Sequence, residues 1–166
     1  MKGLSSKETE IIANLEFTKG YYFTRDDIKR LFSSDNQIRH TIHKLMQKGR
    51  IIKLNRNKYY LVPIRARTGV WTDHPFIIAD EIFNGKDYFI GGWAAANYWD
   101  LTEQLPMRID IWTTKKEGTK KVMGVVYKYH RTTKNRLLAA VTKYVDNHPF
   151  RVLNKEKTKQ WLQLRT

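Results

Sequence analysis

The spacing of apolar residues in the first fifty positions predicts three helices. The first begins after Ser5, which forms a capping box with Glu8 because each side chain satisfies a backbone N–H of the other residue. The second begins after Thr24, and the third begins after Ser34, which forms a second capping box with Gln37. The residues that mark the buried faces of the first and third helices are Ile11, Ile12, Leu15, Ile38, Ile42, Leu45 and Met46.

Two short apolar runs at 51–54 and 59–63 follow the third helix, and the polar turn Asn55-Arg56-Asn57-Lys58 separates them. This pattern predicts a β-hairpin. Three helices and a hairpin, with a tight polar turn between the second and third helices, are typical of a winged helix-turn-helix domain, here over residues 1–66. The basic, irregular stretch at 65–69 predicts a boundary, with a second domain over residues 70–166.

The second half of the chain mixes helical and strand patterns, which predicts a small α+β domain and makes α+β the expected fold class. A proline at the first position and a glycine just past the end bound its first helix. The predicted elements are a helix at 74–85, a strand at 88–90, a helix at 93–99, strands at 107–113 and 122–129 around a basic loop at 115–121, an amphipathic helix marked by Leu137, Leu138, Val141, Tyr144 and Val145, and a last helix with Trp161, Leu162 and Leu164.

The net charge of +15 over 166 residues indicates a polyanionic partner, because each neutralised phosphate releases condensed counterions. Residues 1–66 carry 14 basic and 6 acidic residues, and residues 67–166 carry 17 and 10, so the excess of +8 and +7 covers both halves. The absence of cysteine excludes disulfides and cysteine-bound zinc. No apolar run has the length of a signal peptide or a membrane span, which predicts a soluble, cytoplasmic protein without a membrane partner.

The outward face of the third predicted helix is rich in hydrogen-bond donors. Asn, Gln and Arg side chains pair with base edges in the major groove, and the basic hairpin turn would meet phosphates or a minor groove. No acidic residue occurs between Asn36 and Arg65, which favours DNA over the alternative of a surface for protein contacts. The candidate DNA-binding residues are Ser34, Asn36, Gln37, Arg39, His40, His43, Lys44, Arg56, Asn57 and Lys58.

Other charged or metal-ligating side chains give weaker signals. His40 and His43 lie three positions apart, a spacing that can hold a metal, but no cysteine or nearby carboxylate completes a ligand set. We therefore expect no metal site and no cofactor. The lysines of the basic loop form either a second anion-contact surface or a solvated loop: Lys115, Lys116, Lys120 and Lys121.

The stretch 91–112 has the outline of a nucleotide pocket. Gly91-Gly92 opens a helix of small residues, and Asp110 follows on an apolar strand. Nucleotidyltransferases of this outline need two acids one residue apart, because alternate strand residues share a face and can hold the same magnesium ion. Trp112 occupies the position of the second acid. We therefore interpret the diglycine as a tight turn and Asp110 as an ion-pair partner of Arg108.

Two further classes of enzyme have little support. A nuclease motif of the (Asp/Glu)-x-Lys type occurs only as Asp27-Ile28-Lys29, where the lysine lies on the solvated side of the second predicted helix. Nucleophilic triads are not indicated, because the chain has no cysteine and no Gly-x-Ser-x-Gly elbow. No catalytic residue is predicted.

Three stretches share a pattern with a known family. They are LNRNKYYLVP at 54–63, YFIGGWAA at 88–95 and LTEQLP at 101–106, of which the last is the most specific. Together they resemble the AbiEi family of antitoxins and transcriptional regulators from abortive phage-resistance operons, over about residues 17–130. The resemblance implies a repressor that binds inverted repeats in its own promoter, and an antitoxin that opposes a nucleotidyltransferase-like toxin.

We therefore predict a sequence-specific DNA-binding transcriptional regulator that is not an enzyme, and specifically an autorepressing antitoxin of a toxin–antitoxin or phage-defence operon. The expected partners are double-stranded DNA, bound by a monomer or by a weak dimer that pairs on DNA, and the toxin. One alternative is a nucleic-acid-acting enzyme, nucleotidyltransferase-like or nuclease, with the winged helix as its targeting domain. Another is a protein-interaction module.

Overall fold

The computed structural model describes residues 3–64 and 73–165. The chain divides into two compact units, Met1–Trp71 and Thr72–Thr166. Both units contain helices and a β-sheet, so the α+β fold class is confirmed. The predicted linker at 65–69, and with it the predicted boundary, lies outside the described residues.

The first unit combines three helices with a three-stranded antiparallel sheet. Its elements are α1 (Ser6–Phe17), β1 (Tyr22–Thr24), α2 (Arg25–Ile28) with a 3-10 turn at Lys29–Leu31, α3 (Asp35–Gln47), β2 (Ile51–Lys53) and β3 (Lys58–Leu61). β3 lies between β1 and β2. The three helices and the hairpin predicted here are present, and the aromatic run before α2 adds a third strand.

Side-chain caps fix where α1 and α3 begin. Ser5 Oγ accepts from Glu8 N at 3.3 Å and Ser5 N donates to Glu8 Oε2 at 2.6 Å, which confirms the first capping box. At α3, Ser34 Oγ accepts from Gln37 N at 3.4 Å. The Gln37 side chain, however, accepts from Ser33 N at 3.2 Å. The second capping box is therefore wrong in its second half, because Gln37 closes the turn before the cap residue.

One apolar core holds the first unit together. The predicted inward residues of α1 and α3 are buried in it, except that Met46 is only partly buried against its edge. Phe23 of β1 and Tyr59 of β3 complete the core. Their ring centroids are 5.7 Å apart and their planes are tilted by 30°. The core residues are Ile11, Ile12, Leu15, Phe23, Ile28, Ile38, Ile42, Leu45, Ile51, Tyr59 and Leu61.

The second unit is built on a six-stranded mixed sheet with the strand order β6-β7-β5-β4-β9-β8. The β5–β7 and β4–β9 pairs are parallel, and the other neighbouring pairs are antiparallel. In chain order the elements are α4 (Pro75–Phe83), β4 (Tyr88–Gly91), α5 (Gly92–Tyr98), β5 (Ile109–Thr113), β6 (Gly118–Val122), β7 (Val125–Arg131), α6 (Lys134–Leu137), β8 (Ala140–Val145), β9 (His148–Leu153) and α7 (Lys155–Gln163).

The amphipathic helix predicted at 137–145 is wrong. Only the short α6 is helical there, and β8 pairs antiparallel with β9. Apolar residues at positions 141 and 145 fit a helical and an alternating spacing equally well, so hydrogen bonds to β9 decide the outcome. The missed signal is the turn: Asp146 and Asn147 adopt φ of 48° and 62°, a left-handed pair that Asp and Asn tolerate and that two-residue hairpins require.

The basic loop at 115–121 and the strand at 122–129 also differ from the prediction. Residues 118–122 form β6, an edge strand in which lysine is common. β7 begins only at Val125, which pairs with Val122 across the turn residues Met123 and Gly124. Their φ values of 49° and 81° again belong to a two-residue hairpin.

Strand register divides this sheet into two faces, because residues paired across neighbouring strands point the same way. One face packs under α4, where the Phe83 ring lies 5.3 Å from that of Tyr88 and 5.4 Å from that of Tyr129. We call the opposite side the second sheet face. It carries Phe89, Gly91, Asp110, Trp112, Lys128 and His130.

Candidate nucleic-acid interface

α3 turns its predicted polar side to solvent. Ile38, Ile42 and Leu45 are between 0% and 4% exposed, and burying them fixes how the helix is rotated. The helix therefore displays amide, imidazole, guanidinium and ammonium groups along its outer side. The exposed candidate residues at the start of α3 and along it are Ser34, Asn36, Gln37, Arg39, His40, His43 and Lys44.

The outer side chains of α3 bond to one another over short sequence distances. Arg39 Nη2 donates to Asn36 Oδ1 at 2.5 Å, and the His43 and Gln47 side-chain nitrogens lie 3.0 Å apart. Exposed pairs at this spacing contribute only about 0.2–0.5 kcal/mol each. These side chains can therefore exchange their present partners for base edges or phosphates at little cost.

A buried ion pair ties the end of α3 to the start of α1. Lys48 Nζ donates to Glu8 Oε2 at 2.7 Å and to Gly3 O at 2.8 Å, and Glu8 is 2% exposed. Burial alone would raise the pKa of Glu8, but hydrogen bonds from Lys48 and from Ser5 outweigh it, so its pKa lies below the ordinary value. Sequence reasoning missed this pair because its partners are 40 positions apart.

The hairpin turn owes its shape to a residue outside the predicted set. Asn55 Oδ1 accepts from Asn57 N and from Lys58 N, both at 2.9 Å, and Leu54 N donates to Lys58 O at 3.0 Å. Arg56 and Asn57 are exposed at the tip, whereas Lys58 is half-buried. The Asn55 amide thus holds the tip residues out in solvent.

The diglycine of the second unit needs both glycines, for different reasons. A Cβ on Gly91 would stand 2.5 Å from a ring carbon of Trp112, because the indole lies across the turn. Gly92 has φ of +59°, in the left-handed region that side chains avoid. Trp112 therefore covers Gly91, whereas Gly92 lines a groove that opens on the same sheet face.

Asp110 is buried and engaged on the second sheet face. Its Oδ1 lies 2.6 Å from His130 Nε2, and Arg108 Nε lies 3.3 Å from both carboxylate oxygens. The predicted ion pair with Arg108 is confirmed. The His130 partner was missed, since the residues are 20 positions apart and meet only through the parallel pairing of β5 with β7.

Three rings form a stack beside this carboxylate. Trp112 is nearly parallel to Phe89, at 6° and 5.7 Å between centroids, and to His130, at 21° and 4.6 Å. Each ring stands on a neighbouring strand, so the register of β4, β5 and β7 creates the stack. The stack therefore places packed rings against the Gly91 side of the diglycine turn.

The four lysines of the predicted second anion-contact surface do not lie on one face. Lys115 Nζ is 3.5 Å from Asp87 Oδ2. Lys116 Nζ lies 4.3 Å from the Tyr129 ring centroid, and burial there, with the neighbouring charge of Lys115, lowers the pKa of Lys116. Adjacent strand residues point to opposite faces, and the two remaining lysines are adjacent on β6: Lys120 and Lys121.

Residues 3–64 and 73–165 contain neither a metal-binding cluster nor a membrane-crossing helix. No three His, Cys, Asp or Glu side chains among them converge to hold an ion, and His40 and His43 are simply exposed on α3. No helix in these ranges combines the length and the apolar character that crossing a bilayer needs.

Comparison with known proteins gives a distant structural similarity. The chain is similar to the RV2827C protein from Mycobacterium tuberculosis, with a TM-score of 0.58 and 12% sequence identity over 86% of this chain and 51% of that one. This chain therefore spans about half the length of that protein. At such identity the similarity supports a shared fold alone. No protein-family model and no curated protein matches the sequence.

Proposed function

We propose that this chain is a sequence-specific DNA-binding transcriptional regulator. In this proposal residues 1–66 act as a winged helix-turn-helix, in which α3 enters the major groove and the β2–β3 turn contacts phosphates or an adjacent minor groove. The partner is double-stranded DNA with inverted repeats, in the cytoplasm, bound by monomers that pair on the repeats.

The observation that carries the proposal is the outer side of α3. It is exposed over three turns, it holds donors that match base edges, and from Asn36 onward its charge is of one sign. Residues 36–64 contain seven Lys or Arg and no Asp or Glu. Asp35 is the nearest acid, in the first turn of α3, where a carboxylate also favours the helix dipole.

The local structure suits this role for a physical reason. A recognition helix must hold its axis rigidly while its outer side chains stay free to rearrange. α3 is held by three buried apolar residues and by the Lys48–Glu8 pair at its end, whereas its outer hydrogen bonds are weak and exposed. Binding to DNA would therefore require side chains of α3 to rearrange, without a change in the backbone fold.

Selection from a pool of random double-stranded DNA, followed by gel-shift titration of the enriched sequence, tests the proposal. Arg39→Ala and Lys44→Ala should each weaken binding of that sequence about ten-fold to a hundred-fold, because a good base or phosphate contact contributes about 1–3 kcal/mol. Lys19→Asn is the matched control: it removes one exposed charge of the same unit outside α3 and the hairpin, and Asn tolerates the left-handed φ of 53° there.

Two results would contradict the proposal. One is a pool with no enriched motif. The other is an affinity that Lys19→Asn lowers as much as Arg39→Ala does, which would indicate attraction by net charge alone. Affinity should also fall steeply with salt, since each phosphate that the protein neutralises adds about one to the slope of log affinity against log salt.

An enzymatic second unit is the competing function. The geometry of Asp110 favours a scaffold, because His130 and Arg108 occupy its oxygens and Trp112 covers Gly91. Incubation with nucleoside triphosphates, magnesium and RNA or DNA discriminates between the two. Turnover that disappears in Asp110→Ala would establish the enzyme and overturn this part of the proposal.

The antitoxin role is the more specific form of the proposal and depends on the resemblance of 54–63, 88–95 and 101–106 to AbiEi proteins. In that form the regulator represses its own operon and opposes a nucleotidyltransferase-like toxin. Co-expression with the product of the adjacent gene tests it: rescue of growth from that product supports the role, and toxicity that persists argues against it.

A further inference from the structure

A groove of about 670 Å³ opens on the second sheet face, beside α7. Its floor is apolar and includes Trp112, Ala139 and Leu153, with Trp161 and Leu164 contributed by α7 and the residues just after it. The volume lies in the range of pockets that hold a ligand or a few side chains. Nothing in the proposed DNA-binding role uses this groove.

The tryptophan rings of the floor already have ring-face contacts inside the chain. Trp112 is stacked between Phe89 and His130, and Arg165 Cζ lies 4.4 Å from the Trp161 ring centroid. A nucleobase needs a free ring face for stacking, so the floor is poorly suited to single-stranded nucleic acid. Apolar side chains of a partner protein need no free ring face and can bind by burying their surface against this floor.

The rim of the groove is positively charged. Arg136, Lys157 and Arg165 line it, together with the amides of Asn135 and Gln160, and no carboxylate is among its lining residues in the described part of the chain. Leu164 is 83% exposed at this edge, which is a large apolar exposure beside three cations. An apolar floor inside a cationic rim is complementary to a segment with apolar and acidic sides.

We propose that this groove docks an amphipathic segment of a partner protein, whose apolar side chains fill the floor while flanking Asp and Glu side chains face the rim. A short helix with anchors at i, i+3 or i+4, and i+7 has the required geometry. A second copy of this chain is a poor occupant, since its net charge of +15 would repel the rim. This docking proposal does not depend on whether α3 binds DNA.

The test is selection from a displayed library of random peptides on the 166-residue chain, with counter-selection on Leu164→Glu. A selected peptide is then titrated by fluorescence anisotropy. We expect amphipathic, acidic sequences whose affinity falls at least about ten-fold in each variant, because Leu164→Glu puts a charge against apolar side chains of the peptide and Lys157→Glu puts a carboxylate opposite its acids. Lys157 and Leu164 are exposed, so neither variant disturbs the core.

Matched controls separate docking from attraction by charge. Lys159→Glu makes the same charge change at an exposed position of α7 outside the groove, and Leu138→Glu changes a leucine that is 82% exposed and also outside the groove. Both should leave peptide affinity within about two-fold of the wild-type value, given the small effect of peripheral contacts. A labelled oligothymidine probe should show no dependence on Leu164.

Three outcomes would overturn the proposal. One is that no selected peptide distinguishes the wild-type protein from Leu164→Glu. Another is that Lys159→Glu weakens binding as much as Lys157→Glu. The third is that the oligothymidine probe loses affinity in the groove variants but not in the controls, which would assign the groove to nucleic acid.

Discussion

Replacing Glu8 by alanine should selectively destabilise the first unit. The change removes two functions at once: the acceptor for Ser5 N in the capping box, at 2.6 Å, and the partner of the Lys48 ammonium, at 2.7 Å. Glu8 is 2% exposed, and the Lys48 side chain is 18% exposed. The variant therefore leaves an ammonium largely shielded from water beside a new cavity.

The expected loss is about 2–4 kcal/mol of unfolding free energy. Leaving one charge of a buried pair without its partner costs about 3–5 kcal/mol, and loss of a cap costs about 0.5–2 kcal/mol. The partial exposure of Lys48 lets it regain some hydration, so the expected loss lies below the sum of these two costs. Replacing both partners in Glu8→Gln with Lys48→Met should recover much of the loss, because no buried charge then remains.

Urea titration followed by two probes measures the effect. Four of the five tryptophans belong to the second unit, so tryptophan emission mainly reports that unit, while far-ultraviolet circular dichroism reports both. The Glu8→Ala transition should move to lower urea in circular dichroism, with the emission transition nearly unchanged. A loss below about 0.5 kcal/mol, typical of a surface substitution, would refute the reasoning.

The same pair makes the stability of the first unit dependent on pH. The pKa of Glu8 in the folded protein lies below its ordinary value of 4.5, so the folded state releases this proton more readily than the unfolded state does. Its stabilisation is therefore complete above the ordinary pKa and disappears as the pH falls through the folded pKa. The stability difference between wild type and Glu8→Gln should shrink over that window, and a constant difference would argue against the ion pair.

Two further predictions concern turns. Gly91→Ala should destabilise the second unit by about 1–3 kcal/mol in urea titrations, because the new Cβ would stand 2.5 Å from the Trp112 ring. An equal loss of stability in a Trp112→Leu background would disprove that cause. Asn55→Ala should lower the thermal midpoint of the first unit, because it removes two 2.9 Å hydrogen bonds and with them about 1–2 kcal/mol of stability. Asn55→Asp keeps the acceptor and should lower the midpoint less. Equal losses in the two variants would contradict the turn geometry.

The first unit was largely predictable from its sequence because local signals and tertiary packing agree there. The capping Ser5 and Ser34 begin helices where the apolar spacing also begins, and the buried faces of α1 and α3 follow from that spacing. Charge and exposed donors on α3 likewise follow once its inner face is known. What the sequence did not show is the role of the Asn55 side chain within the predicted polar turn, because that role depends on the detailed turn conformation.

The C-terminal third was harder to predict because its patterns fit two structures. Val141 and Val145 suit a helix and a strand, and only pairing with β9 settles the matter. The Asp146-Asn147 and Met123-Gly124 turns are visible as short polar or glycine-containing pairs, but their left-handed backbone shows them to be hairpins. The free energy of strand pairing decides between helix and strand here, and it depends on both segments together.

By itself the sequence determined the α+β class, the helices of the first unit, the excess of positive charge, and the absence of a second acid after Asp110. Only the tertiary structure decided that Trp112 covers Gly91, that His130 meets Asp110, that Lys48 pairs with Glu8, and that a cationic rim surrounds an apolar groove. The physical reason is distance along the chain. Periodicity and capping act within a few residues, whereas these interactions join positions about twenty or more apart and form only when the sheet and the core bring them together.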